Sequence, residues 1–274
     1  MQIVPGTGNW TCDEIDQLKP SGARVYDYLL GGAHNFAVDR ALAHRLLELN
    51  PGAAMVARVN RGFLRRAVLL MIEQGIRQFL DLGSGIPTVG NVHEIAQKAD
   101  PASRVVYVDI EEVSAVHSRM LLEGDDNAAL VQADIARPQD VLDAPETRQL
   151  IDFDEPLGLL AVSVLHYLSP EQDPVAVMRQ YASVMVPGSY VAISHGASDF
   201  TKFAMDEAVA ELRRSSAESI YPRSRAEVTE LFVGFELVEP GLVTTSRWRP
   251  DWSVEPDTDP QEDALYAGVG RKNS

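Results

Sequence analysis

The sequence predicts a doubly wound α/β domain with a mostly parallel sheet, preceded by a helical N-terminal extension. Three observations carry this expectation. From Arg77 onward, short apolar runs alternate with stretches of helical periodicity, a pattern that gives a parallel sheet covered on both faces. A glycine-rich turn, Asp81-Leu82-Gly83-Ser84-Gly85-Ile86-Pro87-Thr88, stands directly after the first apolar run and before a helical stretch. Ahead of Arg77, apolar residues recur only at helical spacing.

Element by element, Pro20-Ser21 precede Val25, Leu29, Leu30 and then Phe36, which flank Gly31-Gly32, so two short helices separated by that break are expected. Leu42, Leu46, Leu47 and Leu49 continue at helical spacing up to Asn50-Pro51. Val56, Val59, Phe63, Leu64, Val68 and Leu69 then mark an amphipathic helix ending near Gly75. Strands are predicted at 79–82, 104–108, 129–132, 157–164 and 189–194, with helices near 89–99, 113–122 and 174–186. Residues 200–219 read as a helical insertion and 225–232 as the last helix. Residues 236–238 and 266–269 are expected to pair antiparallel at the sheet edge. The division is thus a helical extension or lid over 1–75 and the sheet domain over 76–274.

Composition narrows the function classes. The 274 residues carry 40 Asp and Glu against 24 Lys and Arg, a formal net charge of −16, which would repel a nucleic acid. The acidic runs, as in Glu123-Gly124-Asp125-Asp126, read as solvated surface. No apolar run approaches the roughly 20 residues that span a bilayer, and the N-terminus lacks a secretion signal, so a cytoplasmic location and no membrane partner are expected. Cys12 has no second cysteine to pair with. His34, His44, His93, His117 and His195 show no metal-ligand spacing with nearby Cys, Asp or Glu, so no metal is expected.

The glycine-rich turn carries the chemistry. Gly83 and Gly85 let backbone approach a ligand closely, and Ser84 lies between them. A dinucleotide fingerprint would place Gly or Ala where Thr88 stands and needs no acid just before its first glycine. Asp81, in contrast, suits the ammonium of a methionine moiety through a charge-assisted bond. Asp109 ends the next run 24 residues beyond Gly85, close to the roughly 20 expected for an acid that grips ribose hydroxyls, although Asp also favours helix N-caps. Asp134 ends the third run, where it would meet either an adenine amino group or the start of a helix. Ile110 and Ile135, the residues after these two acids, are grouped with them.

These residues, together with Leu165-His166-Tyr167 and Pro187-Gly188-Ser189-Tyr190, resemble the class I S-adenosylmethionine (SAM)-dependent methyltransferases over 79–194. A closer resemblance is to a bacterial methyltransferase family long catalogued as a domain of unknown function. It rests on Pro20 to Gly32, Asn60 to Val68, Leu82 to Thr88 and Trp248-Arg249-Pro250, and spans almost the whole chain. The resemblance implies a Rossmann-like sheet of about seven strands, SAM as cofactor, and methyl transfer to an O- or N-nucleophile. The acceptor is expected to be a small molecule. Pro87 departs from the general pattern, where many members carry a third glycine.

His166 stands where some O-methyltransferases of similar fold carry a catalytic histidine. It reads either as a general base for an acceptor hydroxyl or as a structural, cofactor-adjacent residue. In the N-terminal extension, Arg24, Tyr26, Tyr28, Asn35, Phe36 and Asp39 are dense in site-type chemistry. Tyr28 is assigned there to the reacting centre and Asn35 to the cofactor, under a helical lid that bends at Gly31-Gly32. The alternative reading is a helical pair that only packs. At the level of function, the alternative is a non-catalytic sensor of SAM or S-adenosylhomocysteine (SAH). A nicotinamide-dependent oxidoreductase is disfavoured by Asp81 and Thr88.

Overall fold

A computed structural model of the chain describes residues 18–86, 90–200, 205–215, 219–251 and 264–273. Cys12, Pro87 and Thr88 lie outside the described residues.

The described residues begin with three helices, α1 (Gly22–Leu29), α2 (Ala37–Leu49) and α3 (Ala53–Glu73). Ser21 caps α1, and the Phe36 N–H donates to Asp39 Oδ2 at 2.7 Å, which closes the first turn of α2. Phe36 therefore starts the helix that holds Leu42 to Leu49, and the separate short helix expected around it does not form.

The sheet contains β1 (Gln78–Leu82), β2 (Arg104–Asp109), β3 (Ala128–Gln132), β4 (Gly158–Val162), β5 (Tyr190–Gly196), β6 (Glu236–Leu237), β7 (Val243–Thr244) and β8 (Leu265–Arg271). Their order is β3-β2-β1-β4-β5-β8-β6, with β7 also on β8. The first five pair in parallel, whereas β8 runs antiparallel to β5, β6 and β7. β6 pairs antiparallel with β8 as expected, but opposite Gly270 and Arg271 and not across 266–269, where Tyr266 and Ala267 pair with β7, whose two residues bring the sheet to eight strands.

Crossovers run through α4 (Val92–Ala99), α5 (Glu112–Leu121), α6 (Pro138–Leu142), α7 (Pro145–Leu150) and α8 (Pro174–Ser183); α9 (Met205–Ser215) lies in the predicted insertion and α10 (Arg225–Glu230) follows. Alternate strand residues face two cores, as both-face coverage requires. Leu80, Val106, Leu159 and Val191 pack with α8 and α10, and Phe79, Val105, Leu160 and Ala192 pack with α3. Trp248, fully buried, meets Phe63 edge to face at 5.3 Å. Arg66 of α3 holds the Trp248 segment, donating to Thr245 O at 2.7 Å and Trp248 O at 2.9 Å. No helix among the described residues is long and apolar enough to cross a membrane.

Candidate active site

The turns after parallel strands converge on one edge of the sheet, so a ligand crevice is expected at the carboxyl ends of β1 to β4. A cavity of about 520 Å³ opens there. Gly83, Ser84, Asp109, Asp134 and Val164 line its sheet side, and α1 and α3 roof it with Tyr26, Asp27, Asn60, Arg61 and Leu64.

The glycine turn is tied down by β2. The N–H groups of Gly83 and Ser84 both donate to Val108 O, at 2.7 and 3.0 Å, and that of Gly85 donates to Asp109 Oδ2 at 2.7 Å. Both glycines are left-handed, with φ of 65° and 66°. At Gly83 a Cβ would also lie 2.1 Å from Val164 Cγ2, so no larger residue fits. Three consecutive N–H groups are thereby spent inside the protein, leaving them unable to cradle a pyrophosphate as a dinucleotide turn does.

The acids sit as the sequence places them, with one addition each. Asp81 lies on β1, opposite Tyr107, and is 6% exposed. Burial pushes its carboxyl up to about 7, which the Arg61 cation partly opposes and the Asp109 charge reinforces. Asp109 lines the cavity while bracing the loops on both sides, since Oδ1 accepts the Glu111 N–H at 2.8 Å. Asp134 Oδ1 accepts the Ala136 N–H at 2.9 Å, so it closes a turn as well as lining the cavity. Ile110, 66% exposed, and Ile135, buried, lie on the same wall. The Ser84 hydroxyl is buried without a partner.

His166 is not on a strand. It lies beyond the end of β4, on a 3-10 turn at Leu165–Tyr167, and faces the cavity beside Tyr167 and Leu168. Its Nδ1 accepts the Gly196 N–H at 3.3 Å, which assigns the ring proton to Nε2. Burial, with the neighbouring His195 and Arg223, pulls its pKa down to about 3. The ring is therefore neutral in the physiological range and a weak base. Arg223 fixes the turn from beneath, donating to Leu165 O at 3.0 Å and Leu168 O at 2.8 Å, while the Tyr221 N–H donates to His166 O at 2.7 Å.

The two assignments in the extension land elsewhere. Tyr28 is not among the cavity-lining residues: its hydroxyl meets His44 Nε2 at 2.8 Å and its ring packs on the Val25, Leu42 and Ala43 cluster. Tyr26, on the other side of α1, is the tyrosine of that helix that lines the cavity. Asn35 also stays outside the lining, its Nδ2 donating to Asp27 Oδ2 at 2.9 Å, so it supports a cavity residue without reaching the cavity.

Sequence reasoning passed over Asp27, Arg61 and Ser163. The signal for the α3 residues was a break in the apolar stripe, where Asn60 and Arg61 fall between Ala57 and Leu64 on the buried side. Asn60 joins the roof to the sheet: its Nδ2 donates to Tyr26 Oη at 3.0 Å and Ser163 Oγ at 2.9 Å, and its Oδ1 accepts from Ser194 Oγ at 2.6 Å. Ser163, just past β4, is held left-handed at φ 57°.

The site's chemistry suits a cationic adenosyl ligand. It presents acids at the ends of three neighbouring strands, an exposed isoleucine face, an unpartnered buried hydroxyl, and a glycine turn whose Gly83, Ser84 and Gly85 N–H groups are already bonded within the protein.

Comparison with known proteins bears on this directly. The S-adenosyl methyltransferase family matches residues 8–273. A candidate methyltransferase from Thermobifida fusca YX has 43% identity and a TM-score of 0.87, covering 93% of this chain and 96% of its own. A DUF574 family protein from Streptomyces avermitilis MA-4680 has 36% identity and a TM-score of 0.89, covering 94% and 99%. An O-methyltransferase family protein from Burkholderia thailandensis, 14% identical with a TM-score of 0.52 over 81% of this chain and 58% of its own, shares the fold alone. No curated protein matches. The family match across nearly the whole chain, joined to the site above, makes the protein a member of the S-adenosyl methyltransferase family and a SAM-dependent methyltransferase.

Proposed function

We propose that this methyltransferase acts on an O- or N-nucleophile of a small molecule, which it encloses between the sheet and the helices of residues 1–75. The observation that carries this is the roof: an acceptor beside the cofactor has to fit a cavity of about 520 Å³ under α1 and α3, within the range of small-molecule sites. The charge of −16 also disfavours a nucleic acid.

SAM supplies a methyl carbon already activated by its sulfonium, so the protein has to align, exclude water and hold charge. Asp81 and Arg61 are suited to the ammonium and carboxylate of the methionine moiety. Asp109 suits the ribose hydroxyls, Ile110 and Ile135 the adenine faces, and Asp134 the adenine amino group. His166 is assigned to orientation: its Nε2–H donates to the acceptor and does not abstract its proton. The N-terminal helices are the lid, and Tyr26 takes the place proposed from the sequence for Tyr28.

The experiment is incubation with methyl-labelled SAM and a metabolite extract, with mass-resolved detection. A labelled compound of metabolite size is expected. Label recovered only on protein or nucleic acid removes the small-molecule reading.

A further inference from the structure

The cation beneath the His166 turn is bonded to neutral groups. Arg223, just before α10, is 8% exposed. Its side chain donates to Leu165 O at 3.0 Å, Leu168 O at 2.8 Å and His195 Nε2 at 2.8 Å, and the Glu227 carboxylate acts on it only through its charge. A buried charge so placed is costly. A neutral amide could serve the two carbonyls, so the bond that needs an obligate donor is the one to His195.

That bond fixes the protons on two rings. A guanidinium only donates, so His195 Nε2 accepts and the ring proton stands on Nδ1. The other side of the ring agrees, because Nδ1 lies 2.9 Å from Gly196 O, a carbonyl that only accepts. Reversing the tautomer, or adding a second proton, would set an Nε2–H against the guanidinium. Gly196 O also accepts the Arg223 N–H at 3.0 Å, so Arg223 clamps the last residue of β5 directly and through His195. The N–H of that residue donates to His166 Nδ1 at 3.3 Å, which leaves the second ring proton on Nε2. The two rings meet edge to face at 5.6 Å with opposite tautomers.

We propose that Arg223 is a positioning residue for the reacting centre: acting through His195 and Gly196, it fixes the His166 ring as a neutral Nε2–H donor to the cavity. This rests on the reading of His166 as the group that orients the acceptor. Arg223 does not line the cavity itself. A ring free to change tautomer would offer the acceptor a bare nitrogen in place of a donor, and an imidazolium would add positive charge beside a cationic cofactor. The titratable groups about the ring are His195 on β5, Arg223, Glu227 of α10, whose charge acts on both, and Tyr167 on its own turn. The other charged groups lining the cavity are Arg61, Asp27, Asp81, Asp109, Glu111 and Asp134.

The test is long-range proton–nitrogen NMR of protein carrying isotope-labelled histidine, free and saturated with SAH, between about pH 5 and 8. The two rings are assigned by their loss in His166→Gln and His195→Gln. In the wild type His166 is expected to carry its proton on Nε2 and His195 on Nδ1, with neither ring titrating. Arg223→Gln can present a donor or an acceptor to His195, so it should populate both His195 tautomers and reduce the Nε2–H preference of His166 about tenfold, as one lost hydrogen bond would. Arg223→Lys can only donate and should keep both wild-type tautomers. The proposal falls if wild-type His166 lacks a proton on Nε2 or titrates in this range, if His195 carries its proton on Nε2, or if the Gln and Lys variants give the same spectra, as a residue that only props the turn would. The wild-type spectra decide without the variants should these unfold. They need no acceptor, so their failure is distinct from failure of the labelling experiment, which strikes the small-molecule reading.

Discussion

In its proposed place against the ligand's ammonium, Asp81 would couple ligand binding to pH through a single side chain. Burial raises its carboxyl to about 7, so in the ligand-free protein it is largely protonated below that pH, whereas an ammonium partner requires it charged. SAH affinity should therefore rise about tenfold per pH unit up to about 7 and level off above it, with proton release visible by calorimetry in buffers of different ionisation enthalpy. A flat profile between pH 5 and 8 would disprove the pairing of Asp81 with the ligand's ammonium. Gly83 and Gly85 offer a second contrast at this scale. Each is left-handed, but only at Gly83 does a Cβ strike a neighbour. Gly85→Ala should cost the ~1–2 kcal/mol of a left-handed residue. Gly83→Ala should cost distinctly more and should displace Val164, since a 2.1 Å approach cannot be tolerated. Equal denaturant midpoints for the two variants would show that the turn is softer than its geometry implies.

At the scale of elements, the extension is bound to the sheet by a few buried polar groups. Arg24 on α1 reaches Asp39 on α2 and Glu111 at the start of α5, while Asp39, fully buried, also accepts the N–H groups of Ser21 and Phe36. Removing one partner of such a pair leaves a buried charge uncompensated. Arg24→Met should accordingly cost about 3–5 kcal/mol. Because these bonds lie at the roof, hydrogen exchange should quicken in α1 and α2 before it does in β1, β2 and β4. Uniform exchange across the sheet would mean that the extension is part of the core and not a lid. The 3-10 turn carrying His166 is built similarly from outside its own segment, through Arg223 and Tyr221.

Over the whole molecule, several buried groups titrate against one another. His166 and His195 are pulled down to about 3 and about 4 by burial, so they must charge on unfolding below about pH 6.5, and stability falls as pH drops from there. Asp81 acts in the opposite sense: its folded value is raised, so its contribution is complete below about pH 4 and is lost as pH rises through about 7. Between these limits the histidines make the unfolded state bind protons and Asp81 makes the native state hold one. Asp81→Asn should therefore steepen the rise of stability with pH by about 1.4 kcal/mol per unit near pH 5.5, measured by urea unfolding without ligand. An unchanged slope would mean that Asp81 is already ionised. For the intact protein, SAM and SAH should raise Tm and NAD should not, because the N–H groups of Gly83 to Gly85 are held by β2.

The alternation of apolar runs with helical stretches was sufficient for the parallel sheet, and Asp81, Gly83, Gly85, Asp109 and Asp134 were legible because strand ends deliver their residues to one crevice whatever the loops do. Those signals are local, carried by period and by position relative to a strand. Eight strands in place of about seven came from β7, two residues long and too short for a periodic signal. Tyr26 against Tyr28 could not be settled in the same way, since the two differ only in the side of α1 they occupy, and that side is fixed by Ala57, Asn60 and His44, far away in sequence. His166 looked like a candidate base by its place after β4, but burial beside His195 and Arg223 makes it a weak one, and burial belongs to the assembled molecule. Asp27 went unnoticed for the same reason: one aspartate among 40 acids is distinguished only when folding buries it and turns its carboxylate onto the His34 N–H and the Asn35 side chain.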